Sequence, residues 1–132
     1  CENDITCNPL VDPDVEYNVL FYELSEYILR AALSDRYRGK SVWIKDIVYD
    51  IKRDYQSAVG IDRLIEVVIN IFEVFPELGE AKRSSMKITF KKMPRINAEF
   101  ISRFNNIREK IINMSENEAR KYVRELIRAR KK

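Results

Sequence analysis

From Val15 onward, apolar residues recur at intervals of three and four: Val15, Val19, Leu20, Tyr22, Leu24, Tyr27, Ile28 and Ala31. That spacing places them on one face of an α-helix. Asp12-Pro13 offers its start, an acceptor for free amides followed by a residue whose φ is already set. The helix is expected to run to about Ser34. Asp35–Lys40 (DRYRGK) reads as a basic turn broken at Gly39. Ser41 reads as the cap of a second helix with Ile44, Ile47, Val48, Ile51 and Tyr55 inward, and Gly60 closes the connection. Ile61–Phe75 (IDRLIEVVINIFEVF) is apolar nearly all round, which marks the central, buried helix; it is too long for an ordinary strand.

Pro76 and Gly79 end that run. In Met86–Lys92 (MKITFKK), Ile88 and Phe90 alternate with Lys87, Thr89 and Lys91, the one convincing strand pattern, limited by Pro94. No partner strand is evident, so a short wing-like ribbon or an extended loop is expected. Asn97 can cap a fourth helix carrying Phe100, Phe104, Ile107 and Ile111 on one face. Ser115 and Glu118 match a capping box and open a fifth, with Ala119, Tyr122, Val123, Leu126 and Ile127 inward. The expected fold class is therefore mainly α: a helical bundle of about five helices with one short β or extended segment near residues 86–92. Residues 1–11 form an N-terminal loop and residues 12–132 a single helical domain.

Composition narrows the chemistry. A chain of 132 residues buries roughly two-thirds of its unfolded surface, so metals and disulfides are not needed for folding. The absence of histidine excludes a Ser-His-Asp triad, a Cys-His nucleophile and the usual His-bearing zinc sites. Cys1 and Cys7 cannot supply a four-ligand zinc site by themselves. A short-loop disulfide between them and two unpaired thiols are equally open readings. No apolar run approaches the ~18 residues of a membrane span, and no signal-peptide pattern precedes Cys1. The expectation is a cytoplasmic protein without a membrane partner, and a start at Cys1 rather than Met suggests part of a longer chain. Sixteen isoleucines and a single glutamine lean towards a thermophile, while nine asparagines weigh against it.

The net charge of +3 hides a division. Residues 1–80 carry 8 Lys/Arg against 16 Asp/Glu, whereas residues 81–132 carry 16 against 5. Such asymmetry suggests a polyanionic partner for the basic part. Lys82, Arg83, Lys87, Lys91, Lys92 and Arg95 cluster on the loop and the wing-like segment. Arg103 and Arg108 lie on the fourth helix, and Arg120, Arg124 and Arg128 recur every four residues on the fifth. A phosphate-binding surface is one reading; a face docked against the acidic half of the chain, or against an acidic partner, is the other.

The turn at residues 36–43 is a second candidate. Gly39-Lys40-Ser41 resembles the end of a phosphate-binding loop, but Ser34 stands where that motif needs glycine, and a helix precedes it instead of a strand. Arg36, Arg38 and Lys40 still lie just before an expected helix N-terminus, where anions such as ATP with Mg²⁺ or a DNA phosphate are favoured. Trp43 among Tyr37, Tyr49 and Tyr55 suits base stacking, though such a residue is more often a half-buried lid. Asp46, Asp50 and Asp54 form an acidic ladder flanked by Lys45, Lys52 and Arg53, so no metal site is assigned. No residue set has the geometry of a hydrolase, transferase or redox enzyme, so no catalytic residue is assigned.

Residues 41–55, a turn, residues 61–75 and a basic strand have winged-helix order, yet the second of these helices carries only Arg63 as a base. A helix that enters a groove should not be the greasiest in the protein. The helical character, basic last helices and aromatic-basic DRYRGKSVW turn resemble the helix-bundle accessory domains of archaeal primases. That resemblance implies binding of single-stranded template and of nucleotide through Arg36, Arg38, Lys40 and Trp43, beside a catalytic primase core or another protein subunit. The alternatives are a small helical subunit of an RNA-guided or other nucleoprotein assembly, a winged-helix DNA-binding domain, and a structural docking module.

Overall fold

A computed structural model describes residues 8–130 of the chain. It is mainly helical, with five α-helices and a three-stranded antiparallel sheet in the order α1 (Tyr17–Leu33), β1 (Ser41–Trp43), α2 (Ile44–Tyr55), α3 (Ile61–Val74), β2 (Gly79–Lys82), β3 (Lys87–Phe90), α4 (Ala98–Ile112) and α5 (Glu116–Arg130). A short 3₁₀ turn, Pro9–Val11, precedes α1. Strand β3 lies between β1 and β2. Helix, strand, two helices and a hairpin, with the last strand central, is the order of a winged helix, to which α4 and α5 are added.

The strand expected at residues 86–92 is Lys87–Phe90, and it has two partners that alternation alone did not reveal. Ser41 does not cap α2 but starts β1, with Ser41 opposite Thr89 and Trp43 opposite Lys87. Three residues are too few to show period-two alternation against a competing cap signal. Helix α2 starts at Ile44, and the carbonyl of Met86 accepts its first amide at 2.8 Å. Gly79 opposes Phe90 so closely that a Cβ there would stand 2.5 Å from the Thr89 carbonyl oxygen; only glycine lets β2 reach β3 at this point.

Helix α1 begins at Tyr17 and not at Asp12-Pro13. Asp12 instead closes a turn on itself, its side chain accepting from the Asp14 amide and its carbonyl from Val15. Nor is the whole of residues 1–11 a loop: Leu10 is fully buried, and its carbonyl accepts from the Ala58 amide and the Ser57 hydroxyl. Cys1 and Cys7 lie outside the described residues.

The core joins α1 to α3, α4 and α5, and α3 to α2 and β2. Each partly apolar helix buries one stripe: Leu20, Leu24 and Ile28 from α1, Ile44, Ile47 and Ile51 from α2, Phe100, Phe104 and Ile107 from α4. Phe75 at the end of α3 meets Phe21, Phe100 and Phe104, with ring centroids 5.0–6.5 Å apart, and so ties α4 to α1. Helix α5 is held more lightly, by Ala119 and Val123. The reciprocal Ser115–Glu118 bonds at its start and the Asn97 cap of α4 form as their spacing predicts. No described helix is long and apolar enough to cross a membrane.

Candidate nucleic-acid interface

The sheet supplies the first part of the interface. Because β1, β3 and β2 pair in register, Trp43, Lys87 and Lys82 form one cross-strand row, and Ser41, Thr89 and Glu80 form the next. Residues directly opposite in antiparallel strands point to the same side, and all six are exposed while Ile88 is buried behind them. Lys87 Nζ sits 4.6 Å from the centre of the Trp43 ring, which is 47% exposed. Lys82 and Lys87 are like charges placed side by side, a cost of a few tenths of a kcal/mol, roughly. Neither makes an ion pair among the described residues. The Ser41 and Thr89 hydroxyls, 3.3 Å apart, continue this polar face; a three-residue strand carries too short a pattern to announce them.

Register also brings two distant basic segments together. With Ser41 opposite Thr89, the turn before β1 meets the residues after β3. The Gly39 amide donates to the Lys91 carbonyl at 3.1 Å, and the Phe90 amide to that of Lys40 at 2.9 Å. Gly39 has φ +74°, a conformation that favours glycine, and a Cβ on it would also crowd Lys92 Cα at 3.3 Å. Lys40, Lys91, Lys92 and Arg95 are exposed around this junction. Arg38 and Lys92 rim a groove floored by Leu33, Met93, Pro94 and Ile96.

The anion cradle expected from Arg36, Arg38 and Lys40 does not form. A strand separates these residues from α2, and the leading amide of that helix is already bonded. Arg36 bridges Asp50 at 3.0 Å and lies over the Tyr37 ring, while Arg38 bridges Asp35. Asp50 also accepts from Arg53 and from the Tyr37 hydroxyl, and Asp54 from Tyr27, so two of the three carboxylates of the α2 ladder are held in structural bonds, while Asp46 stays exposed. Burial first, and then the bond to Asp50, pushes the Tyr37 hydroxyl far above its usual range.

Two arginines read as surface contacts are spent internally. Arg108 is 8% exposed; its guanidinium donates to the Tyr22 carbonyl and the Ser25 hydroxyl and stacks 3.9 Å from the Tyr22 ring centre. Arg103 bonds the Val74 carbonyl and Glu77, under the Phe75 and Phe100 rings. Their positions on α4 follow helical spacing, but the partners come from α1 and the end of α3, so nothing local announced them.

Arg83, Arg120, Arg124 and Arg128 converge on a cleft between α3 and α5. Arg83 reaches back from the β2–β3 loop to Glu66 and Glu73 of α3, at 3.2 and 3.7 Å. Arg120 pairs with Glu116 at 3.1 Å and lies over Tyr17. Helix α5 therefore covers the face of α3 that a winged helix would turn towards DNA. What α3 leaves exposed is Asp62 and Glu66, and its one base, Arg63, is tied to the carbonyls of Pro13 and Val15. An acidic row repels phosphate, so α3 has no means of lying in a groove. No protein-family model, no curated protein and no solved structure matches this chain.

Proposed function

We propose that this domain is a non-catalytic nucleic-acid-binding module that grips the phosphate backbone with the outer face of its sheet, not with α3. The observation that carries this reading is the row Lys82–Lys87–Trp43: two adjacent lysines with no carboxylate partner among the described residues, one of them stacked on an exposed tryptophan. Lysines held together without carboxylate partners neutralise backbone phosphates and release the cations condensed on the nucleic acid, and an indole beside them offers a platform for an unstacked base. Lys40, Lys91 and Lys92 extend the track. Single-stranded DNA is the favoured partner, because a flat sheet face with one aromatic suits splayed bases better than a duplex groove. Service to a primer-synthesising assembly is the wider role we propose, on the resemblance of the DRYRGKSVW turn and basic last helices alone.

Trp43 is the only tryptophan, so its fluorescence reports on the face directly. Titration with a twelve-nucleotide oligothymidylate should quench it. The logarithm of affinity should fall against log salt with a slope of about −2 to −3, for three or four phosphates neutralised. Lys82→Glu with Lys87→Glu should weaken binding at least tenfold. An unquenched signal with salt-independent affinity overturns the reading, and tighter binding of the matching RNA moves it to an RNA-guided or other nucleoprotein assembly.

A second reading is favoured by the groove beside the Gly39–Lys92 junction, where Met93 is 85% and Leu33 45% exposed between Arg38 and Lys92. Such a rim of cations around apolar residues suits an acidic, partly apolar surface on a catalytic primase core or another protein subunit.

A further inference from the structure

We infer that the α3–α5 cleft is a binding site for a small oligophosphate, of the nucleoside di- or triphosphate class, separate from the sheet face and independent of its role. The cleft has a volume of about 520 Å³, within the range of small-molecule and cofactor sites. It is lined by four arginines and only two carboxylates, Glu66 and Glu73. Arg83 and Arg120 are engaged with acids, as described. Arg124 and Arg128 line the same cleft with no ion pair, hydrogen bond or ring contact among the described residues.

The arrangement exceeds what latching α5 to α3 requires. The Arg63–Glu116 pair and the Arg130 bond to the Glu73 carbonyl already bridge the two helices, and further guanidiniums with no ion pair of their own among the described residues add mutual repulsion. Placed at i and i+4 on one helix, Arg124 and Arg128 present forks to the same opening. A planar fork matches two oxygens of one phosphate, and adjacent forks match adjacent phosphates. Arg83, held across the cleft by weak surface bridges, can exchange a carboxylate for a phosphate oxygen. Ile127, half-buried, adds an apolar wall against which a ribose or base can lie.

Thermal unfolding of the chain with inorganic tripolyphosphate, with ATP, and with sodium chloride at matched ionic strength tests the site. Tripolyphosphate at 5 mM should raise Tm by about 5 °C or more over the chloride control, since a ligand that binds only the folded state stabilises it by mass action. Arg124→Gln with Arg128→Gln should remove that increment, whereas the charge-matched control Lys110→Gln with Lys121→Gln should keep it. A larger rise with ATP than with tripolyphosphate means that the wall takes the nucleoside; equal rises mean that the phosphate chain alone is recognised. Equal effects of tripolyphosphate and chloride, or an increment that survives in the arginine variant, overturn the assignment. Broadening of the ³¹P resonances of tripolyphosphate by the unaltered chain, and sharp lines with the arginine variant, provide a readout that does not depend on variant stability. Trp43 quenching by oligothymidylate should be unchanged in the arginine variant, which separates this site from the sheet face.

Discussion

The backbone amide of Tyr17 donates to Glu116 Oε2 at 2.9 Å, across 99 residues of sequence. Helix α1 has no capping side chain of its own at Glu16, and the first residue of α5 caps it instead. The same carboxylate takes Arg120 at 3.1 Å and stands 3.9 Å from Arg63. One side chain thus fastens the starts of α1 and α5 to each other and to α3.

Replacing Glu116 by Ala should cost about 1 kcal/mol, the usual value of a helix cap, read from urea unfolding. The Tyr17 amide, and then Arg120 and Arg63, hold the Glu116 carboxyl below its ordinary value of 4.5. A depressed carboxylate stabilises the fold above its unfolded pKa and loses that contribution as pH falls through the folded one. The gap between the native chain and Glu116→Gln should therefore be full at pH 7 and shrink below about pH 4.5. A gap that widens on acidification contradicts the bond.

Arg108→Ala should destabilise by about 2–3 kcal/mol, from lost charge-assisted bonds to Tyr22 and Ser25 and a lost ring contact. Arg108→Lys should recover little, since an ammonium neither forks nor stacks in the same way. Oligothymidylate affinity of the folded variant should be unchanged. A weakened affinity with unaltered stability would return Arg108 to the surface.

Gly79→Ala forces a methyl group against the Thr89 carbonyl, 2.5 Å away, and against Phe72 and Phe90. Overpacking of this kind costs on the order of 1–3 kcal/mol. Because it parts β2 from β3, protection of the β3 amides in hydrogen exchange should fall more than that of α1. Uniform loss across both elements would show that the sheet is not a separate unit of stability.

Arg83→Ala should change stability by less than about 1 kcal/mol, because Arg83 and Glu66 are both about half exposed. The midpoint of thermal unfolding should likewise be nearly the same in low and high salt. A loss of several kcal/mol would mean that the bridge fixes the β2–β3 loop on α3 more firmly than an exposed ion pair can.

The charge division shows how far residue order reached. The acidic first 80 residues and basic remainder were plain in the sequence, but their use was not. Arg83, Arg103 and Arg108 all turn back onto acids of the first part, whereas Lys82 and Lys87 have no carboxylate within bonding distance among the described residues. Helical spacing at Arg103 and Arg108 says only that both lie on α4, and whether a cation meets an acid depends on the helix packed against it. The winged-helix order was legible from residues 41–92, as was the reason α3 makes a poor reading helix. The cover that α5 places over it was not.

What the sequence determined by itself was local. The stripes of α1 to α5, the Asn97 cap and the Ser115–Glu118 box rest on residues three or four apart, whose meeting is dictated by helix geometry. Only the tertiary structure decided that Ser41–Trp43 is a strand, that Glu116 caps α1, and which lysines and arginines remain free. Their partners lie from 17 positions away, for Arg83 and Glu66, to 99, for Tyr17 and Glu116, and chain closure over such distances follows from burial of the shared core, not from any pattern within a single segment.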